Sequence, residues 1–523
     1  MLATTEVAVR PGRGRCLIAA KDLYSGDLIL ETEPVGAVLD EGHARTRCAS
    51  CFASIADSQG GGGSRCSGCK NIWYCSRRCQ KVDWTDHELE CKAWAAQNPD
   101  SPARTPTRTL RLAGRIMNAM NKLSGGREKA RRVLRENVAA LVDHNDKRTP
   151  MQQEQYRAMA GFVAHLCVAG SGKETLSWPS TCGAGFPGLV EAAYALMGKL
   201  SCNVFSITSD VGMDVVGCGL YIKASAVNHS CIPNATQSFN GRTLALRCTR
   251  PLVKGEEITI GITELHRPRS ARRLALRAGY FFGCQCIRCD FRGRAVEEDA
   301  RLTAHACPNA NCTGMCTNLD MPDGVRACPS RKNADEAGDD VGLENGRSIK
   351  EMFGAGLLSC DKCGACRQRE GADREKTAIG QLLQRGKALV QEEGTSEEGR
   401  KCLQEVYERA TRCLYRSNWM LSDIYSELTS ISLEIQDLDA AAKYACEGLA
   451  THRACLKSLL PYYPPWVAHL SIAGKLLLCV RNRPQEAQRL LHEALMCVRV
   501  THGEQHPLYA EIRDLMLQAS TGG

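Results

Sequence analysis

The residues best suited to chemistry are cysteines: the 523-residue chain has 30, and eight Cys or His side chains between positions 48 and 91 fall into four close pairs. They are Cys48-x2-Cys51, Cys66-x2-Cys69, Cys75-x3-Cys79 and His87-x3-Cys91. Zinc takes four tetrahedral ligands, and two ligands carried by one tight turn supply half a shell, so four half-sites predict two complete sites. A shell closed by four protein ligands has no position for water, which makes these ions structural. The x2 pairs are expected in turns, whereas the x3 pairs have the i, i+4 spacing of one helical face. Spacing alone allows either interleaved or sequential pairing.

A further quartet is Cys231 with the trio Cys284, Cys286 and Cys289. Beyond it, Cys307-x4-Cys312, Cys316, Cys328 and Cys360-x2-Cys363-x2-Cys366 offer ligands for another ion. Cys307, Cys312, Cys360 and Cys363 are the preferred set, because two short pairs can close over an excluded loop. Other pieces are ordered along the chain, two of them sharing Cys231 and Cys284 with the Cys231 quartet: Gly12-Arg13-Gly14, Cys202-Asn203-Val204-Phe205, Asn228-His229-Ser230-Cys231-x-Pro233-Asn234, Gly255-Glu256-Glu257-Ile258-Thr259-Ile260, and Tyr280-Phe281-Phe282-Gly283-Cys284. Each is weak alone; their order is the specific signal.

Composition limits the alternatives. Hydrophobic residues at 43% and charged residues at 24% are ordinary for a globular chain with a core. Aromatics at 5% argue against an extended stacking platform for single-stranded nucleic acid. The start, MLATTEVAVRPGRGRC, lacks the ~7–15-residue apolar stretch of a signal peptide, and no run reaches the ~18 apolar residues of a membrane helix. Clustered cysteines in a reducing compartment mean metal rather than disulfides. We therefore expect a soluble protein of the cytoplasm, the nucleus or both. Net charge is +9, and residues 101–150 carry 12 Lys/Arg against 4 Asp/Glu. That excess reads as a solvated Arg-rich helical face, or as a patch steering an acidic partner or nucleic acid.

The elements that must position these residues follow from patterning. Short apolar runs at Val7-Ala8-Val9, Cys16-Leu17-Ile18 and Leu28-Ile29-Leu30 predict strands separated by glycine turns. A Gly60–Gly63 loop lies inside the Cys-rich stretch, a linker holds Pro99, Pro102 and Pro106, and helices run from about 108 to 200 with breakers near 170–188. Short β-type runs return over 201–262, a second Cys-rich region spans 284–366 with a Gly/Asp/Asn-rich interior, and helices continue from about 375. There, Ala441–Leu449 and Ala487–Leu495 share Ala first, Gly or Ala eighth and Leu ninth, a pattern that fits a helical repeat or a plain bundle.

The finger resembles the MYND type, including Tyr74 before Cys75 and Trp84 ahead of His87. With the ordered motifs, the chain resembles the SET and MYND domain (SMYD) family of protein-lysine methyltransferases. The resemblance implies an α+β multidomain chain: a β-rich SET fold (1–47 and 201–283) split by the finger (48–91) and a helical insert (92–200). A Cys-rich post-SET region (284–370) and an all-α tetratricopeptide-like domain (371–523) would follow, the latter ending in the family's Val498-Arg499-Val500-Thr501-His502-Gly503-x-x-His506-Pro507. It implies interleaved pairing in the finger, Cys48/Cys51/Cys75/Cys79 and Cys66/Cys69/His87/Cys91, and a third zinc on Cys231, Cys284, Cys286 and Cys289. This third site would clamp the cofactor-binding turn to the post-SET tail.

By the same resemblance S-adenosylmethionine is the cofactor. Gly12 and Gly14 would let the backbone approach it, Arg13 would meet its carboxylate, and Asn203, Asn228 and His229 would hold its amino-acid and adenine parts. Tyr280 would orient the target amine beside Phe282 as channel wall. Read singly, Asn228 and His229 merely fix a turn and Asn203 caps a segment. One position departs: where the family has a channel tyrosine after Gly-Glu-Glu, this chain has Ile262. Losing one preorganised donor costs on the order of 10²–10³ in rate elsewhere. A slow enzyme, a substitute hydroxyl such as Tyr221, and a silent zinc-dependent scaffold or transcriptional regulator are the three readings. Expected partners are a protein substrate bearing the target lysine and a peptide ligand of the finger. Nucleic acid ranks last, no membrane is expected, and the family precedent is a monomer.

Overall fold

Alternating apolar residues near the N-terminus form Thr5–Arg10, which pairs antiparallel with Gly14–Ala19 from Thr5↔Ala19 to Arg10↔Gly14. Gly12 and Gly14 hold φ of +70° and +66° in this turn, a region that L side chains enter only at a cost. The computed structural model describes residues 4–56, 62–95, 106–121, 128–171, 185–209, 214–290, 294–318, 356–392, 396–456, 459–480 and 483–521. Pro99, Pro102, Cys328, Gly60, Gly61 and most of the Gly/Asp/Asn-rich interior lie outside them.

Three small sheets surround the first core. Leu28–Thr32, Thr243–Cys248 and Ala235–Asn240 make one; Gly36–Leu39, Val215–Leu220 and Val204–Thr208 make another. Asn228–His229 lies parallel to Thr259–Ile260, which sets the Asn-His-Ser-Cys motif beside the Gly-Glu-Glu strand. Leu17, Ile29, Phe52, Tyr221, Leu244, Leu246 and Ile258 are buried together between them.

The insert contributes Arg108–Asn121, Glu128–Ala139, Pro150–Ser171 and Gly185–Asn203. Leu112, Ile116, Met117 and Leu189 fill a second core that reaches Val38 and Leu220 of the sheet. Part of the basic segment is buried: Arg111 and Arg115 are 4% and 3% exposed, while Arg108, which pairs with Asp40 at 2.6 Å, stays at the surface. Of the two readings of 101–150, a solvated face or a steering patch, neither includes Arg111 and Arg115, which are committed to buried ion pairs.

Helices from Arg369 onward pack mainly against their sequence neighbours. The small residues shared by Ala441–Leu449 and Ala487–Leu495 mark close approaches: Ala441, Ala487 and Ala494 are fully buried, and Gly448 faces Tyr425. The His502-Gly503-x-x-His506 stretch docks this region on the sheet. His506 Nε2 lies 2.8 Å from the Phe239 carbonyl, and Arg247 Nε donates to the His502 carbonyl at 3.0 Å. Gly503, at φ +89°, lies where a Cβ would run into the Arg247 guanidinium. No helix among the described residues is long and apolar enough to cross a membrane.

Gly503→Val combines a disfavoured backbone region with that collision. It is expected to lower stability by roughly 1–3 kcal/mol, read as a drop in the urea midpoint; an unchanged midpoint would show that the C-terminal helices do not depend on this docking.

Candidate functional site

The finger is built from two knuckles, one strand pair and one helix. In each knuckle the residue after the second cysteine turns left-handed, Phe52 at φ 66° and Lys70 at φ 56°. Their N–H groups close the turns on the carbonyls of Cys48 and Cys66 at 2.9 and 3.0 Å. Tyr74 ends the short strand Trp73–Tyr74, and the helix Arg77–Ala95 carries Cys79, His87 and Cys91. Cys75 stands before that helix, so the expected shared helical face holds for His87 and Cys91 but not for Cys75 and Cys79. The cause is Ser76, whose Oγ accepts the Cys79 N–H at 3.2 Å in the manner of a helix cap.

Ligand atoms of Cys48, Cys51, Cys75 and Cys79 lie within 4.8 Å of one another, and so do those of Cys66, Cys69, His87 and Cys91. The clusters are therefore interleaved. Sulfur separations of 3.7 Å (Cys51–Cys75), 3.5 Å (Cys75–Cys79) and 3.7 Å (Cys66–Cys91) fit the ~3.8 Å edge of a tetrahedron with zinc–sulfur bonds of ~2.3 Å.

Behind the second cluster lies a buried ionic group that the sequence reading did not anticipate. His87 Nδ1 sits 3.2 Å from Glu90 Oε2, which turns Nε2 toward Cys69 at 3.4 Å. Glu90 in turn accepts from Arg111 at 2.5 Å and Arg115 at 3.0 Å. Arg115 also pairs with Asp83 at 2.9 Å, and Asp83 accepts the Tyr74 hydroxyl at 2.8 Å. Burial alone would push the Glu90 carboxyl up; the charges of Arg111 and Arg115, with the His87 contact, override it and hold it well below the usual carboxylate range. The available signals were Glu90 one helical turn after His87, and two arginines four apart on the insert helix.

Two of the predicted cofactor residues, Arg13 and Asn228, meet at Glu257, another residue to which the sequence reading gave no role. Arg13 Nε approaches its carboxylate at 2.9 Å, and Asn228 Nδ2 donates to it at 2.9 Å and to the Arg13 carbonyl at 3.2 Å. Asn228 thus ties the Gly12–Gly14 turn to the Gly-Glu-Glu strand with both amide protons. Nothing lies within 4 Å of where a Cβ would stand on Gly12 or Gly14, so that backbone is open to a ligand. Asn203 ends its helix, and Nδ2 donates to the carbonyls of Lys199 (2.8 Å) and Val142 (3.2 Å), which leaves Oδ1 as its remaining polar atom.

His229 is buried, and desolvation lowers its pKa to about 4, so the imidazole is neutral. Its Nδ1 accepts the Ile262 N–H at 3.2 Å, which puts the proton on Nε2, 3.2 Å from Cys231 Sγ. Ligand atoms of Cys231, Cys284, Cys286 and Cys289 gather within 4.8 Å. One neutral ring therefore links the third cysteine cluster to the strand that carries Ile262. Phe282, 38% exposed, sets its ring 6.3 Å from His229. Tyr280 is the last residue of the helix Arg269–Tyr280, and burial raises its hydroxyl pKa, so it stays protonated at neutral pH. Tyr221 is not the substitute hydroxyl: it is fully buried and donates to the Arg242 carbonyl at 2.6 Å.

Residues 48–91 match the family model described as the MYND finger. The chain is 32% identical to "Histone-lysine N-methyltransferase ASHR1" of Arabidopsis thaliana, over 58% of this chain and 59% of that protein. It is 24% identical to "N-lysine methyltransferase SMYD2" of Gallus gallus, over 96% and 95%. To "Histone-lysine N-methyltransferase SMYD3" of Mus musculus it is 33% identical, over 54% and 61%. The chain thus spans about three fifths of the length of two of these relatives and nearly all of the third.

Glu90→Gln removes the carboxylate that orients His87. Zinc affinity at the Cys66/Cys69/His87/Cys91 cluster is expected to fall by roughly 10–100-fold in chelator competition, with the Cys48 cluster retained. Arg115→Met is expected to destabilise by about 3–5 kcal/mol, because Asp83 and Glu90 lose a buried partner; a denaturation curve superimposing on wild type would refute that role.

Proposed function

We propose that this chain, a relative of the SET and MYND domain proteins, transfers methyl groups from S-adenosylmethionine to a lysine of a protein substrate. The observation that carries the reading is the meeting of the open Gly12–Gly14 turn with Arg13, Asn228 and Glu257. Its support is the lysine methyltransferase activity for which the relatives above are named.

S-adenosylmethionine, when bound, supplies an electrophilic sulfonium methyl group. Arg13, Asn228, the Oδ1 of Asn203 and the backbone at Gly12, Gly14 and His229 are the groups we assign to hold it. Glu257 positions Arg13 and Asn228. Tyr280 stays protonated and serves as a hydrogen-bonding group that aims the substrate amine, while Phe282 and His229 wall the site. Alignment of donor and acceptor then supplies much of the rate. The three cysteine clusters of the finger and post-SET region would each hold zinc.

The domain limits given above, the tetratricopeptide-like reading of 371–523, a peptide ligand for the finger, a monomeric state and a cytoplasmic or nuclear location belong to the same proposal. One observation favours a second reading, a silent scaffold. Ile262 is a half-buried apolar side chain, and the Tyr221 hydroxyl is committed to Arg242.

Calorimetric titration with S-adenosylmethionine, followed by a labelled methyl donor and a mixed protein extract, separates the two. The enzyme reading expects binding and label transfer in wild type, no binding in Asn228→Ala with its zinc intact, and transfer raised on the order of 10²-fold in Ile262→Tyr. Transfer in Ile262→Tyr alone would mark a silenced domain; no binding in either would leave the scaffold.

A further inference from the structure

Outside the finger and the post-SET quartet, a four-stranded antiparallel ribbon runs His305–Ala306, Met315–Asn318, Leu357–Cys360, Cys366–Gln368. At its end the sulfurs of Cys307, Cys312, Cys360 and Cys363 all lie within 4.8 Å of one another. Cys307 and Cys363 are 3.4 Å apart and Cys312 and Cys360 are 3.7 Å apart. Disulfide sulfurs stand at ~2.05 Å, whereas the edge of a four-sulfur shell around zinc is ~3.8 Å. A cluster of several irons would spread its cysteines more widely than a single ion does.

The backbone around these thiols is arranged for thiolates. The N–H groups of Asn309, Gly314 and Lys362 point at the sulfurs of Cys307, Cys312 and Cys360 at 3.4, 3.4 and 3.5 Å. Hydrogen bonds of this kind favour the charged form. Cys360-x2-Cys363 repeats the finger knuckle: Gly364 is left-handed at φ +68° and its N–H closes on the Cys360 carbonyl at 3.1 Å. At Gly314 a Cβ would overlap the Cys360 sulfur, so the close approach requires glycine. Cys316 and Cys366, in the same ribbon, are not part of the quartet.

The ribbon also meets the helical region. Arg367 Nη1 donates to the carbonyls of Ala306 at 3.2 Å and Cys413 at 3.4 Å, and His305 bridges to Leu414.

We propose that Cys307, Cys312, Cys360 and Cys363 form a mononuclear zinc site, additional to the three cysteine clusters above, that closes this ribbon and braces it against the end of the helix Ser396–Cys413. The site stands independently of any methyl transfer.

Native mass spectrometry of the full chain, purified under reducing conditions, tests it. Four zinc ions are expected in wild type and in Cys366→Ser, and three in Cys360→Ser/Cys363→Ser and in Gly314→Val. Three ions in wild type, four retained in the double variant, or iron in the site would overturn the assignment. Thiol labelling of wild type gives a second measurement that needs no variant to fold. Cys363 and Cys366 are both exposed, so a free Cys363 would be alkylated as fast as Cys366. Protection of Cys363 until a chelator is added is the expected result; equal rates, or thiols recovered only after reduction, would sink the site.

Discussion

A carboxylate buried between two guanidinium groups and an imidazole is the contact on which the first half of the molecule turns. Glu90 touches His87, Arg111 and Arg115, and Arg115 reaches on to Asp83 and to the Ala37 carbonyl. Finger, insert helix and the strand Gly36–Leu39 are thereby fixed at one point. Removing one partner from such a group strands an uncompensated charge, so its members are conditional on each other. The zinc shell gains as well: a carboxylate on Nδ1 fixes the tautomer that presents Nε2 to the ion. Metal binding and the packing of the insert on the sheet are therefore coupled through a single side chain.

This coupling explains which features were legible in the sequence. Ligand spacing is a local property, so Cys48 through Cys91 could be read as four half-sites directly, and the β-type runs near Val7, Cys16 and Leu28 became strands. Pairing between half-sites is a tertiary property, and spacing left it open. The arginines show the reverse failure. A run of cations in 101–150 looks like a surface, because nothing in local sequence tells that Arg111 and Arg115 face Glu90 and Asp83 on another helix. Cys75 illustrates a third kind of limit: i, i+4 spacing is compatible with one helix, but Ser76 is a capping residue and starts the helix after the ligand.

Around the Gly12–Gly14 turn the motifs named the neighbourhood, and the structure divides the labour within it. Asn228 has both amide protons committed to Arg13 and Glu257, and Asn203 has both committed to the carbonyls of Lys199 and Val142. Each residue that looked like a ligand-binding group is also a structural tie, so its loss acts first on the shape of the turn. His229 extends the same logic. With Nδ1 held by the Ile262 N–H, its Nε2 proton points at Cys231. A hydrogen bond onto a metal-bound sulfur is stronger when that sulfur is a thiolate. Ile262 is thus wired by its backbone into a cysteine cluster even though its side chain brings no hydroxyl.

The long separations that these cysteine clusters span need not be a burden. Cys231 and Cys289 are 58 residues apart, and Cys312 and Cys360 are 48 apart. Loop-closure entropy grows only as the logarithm of length, so tying ends about 50 residues apart costs about 3 kcal/mol beyond a constant, and doubling the loop adds ~0.6 kcal/mol. A structural zinc contributes roughly 10–16 kcal/mol in small peptides, which exceeds that closure cost several-fold. The closed shell is therefore nearly indifferent to how much chain leaves and returns between its two halves. What it does depend on is the local turn: a left-handed residue after the second cysteine and N–H groups aimed at sulfur. Those are the features repeated at Phe52, Lys70 and Gly364, and they explain why knuckle spacing is informative while the length between knuckles is not.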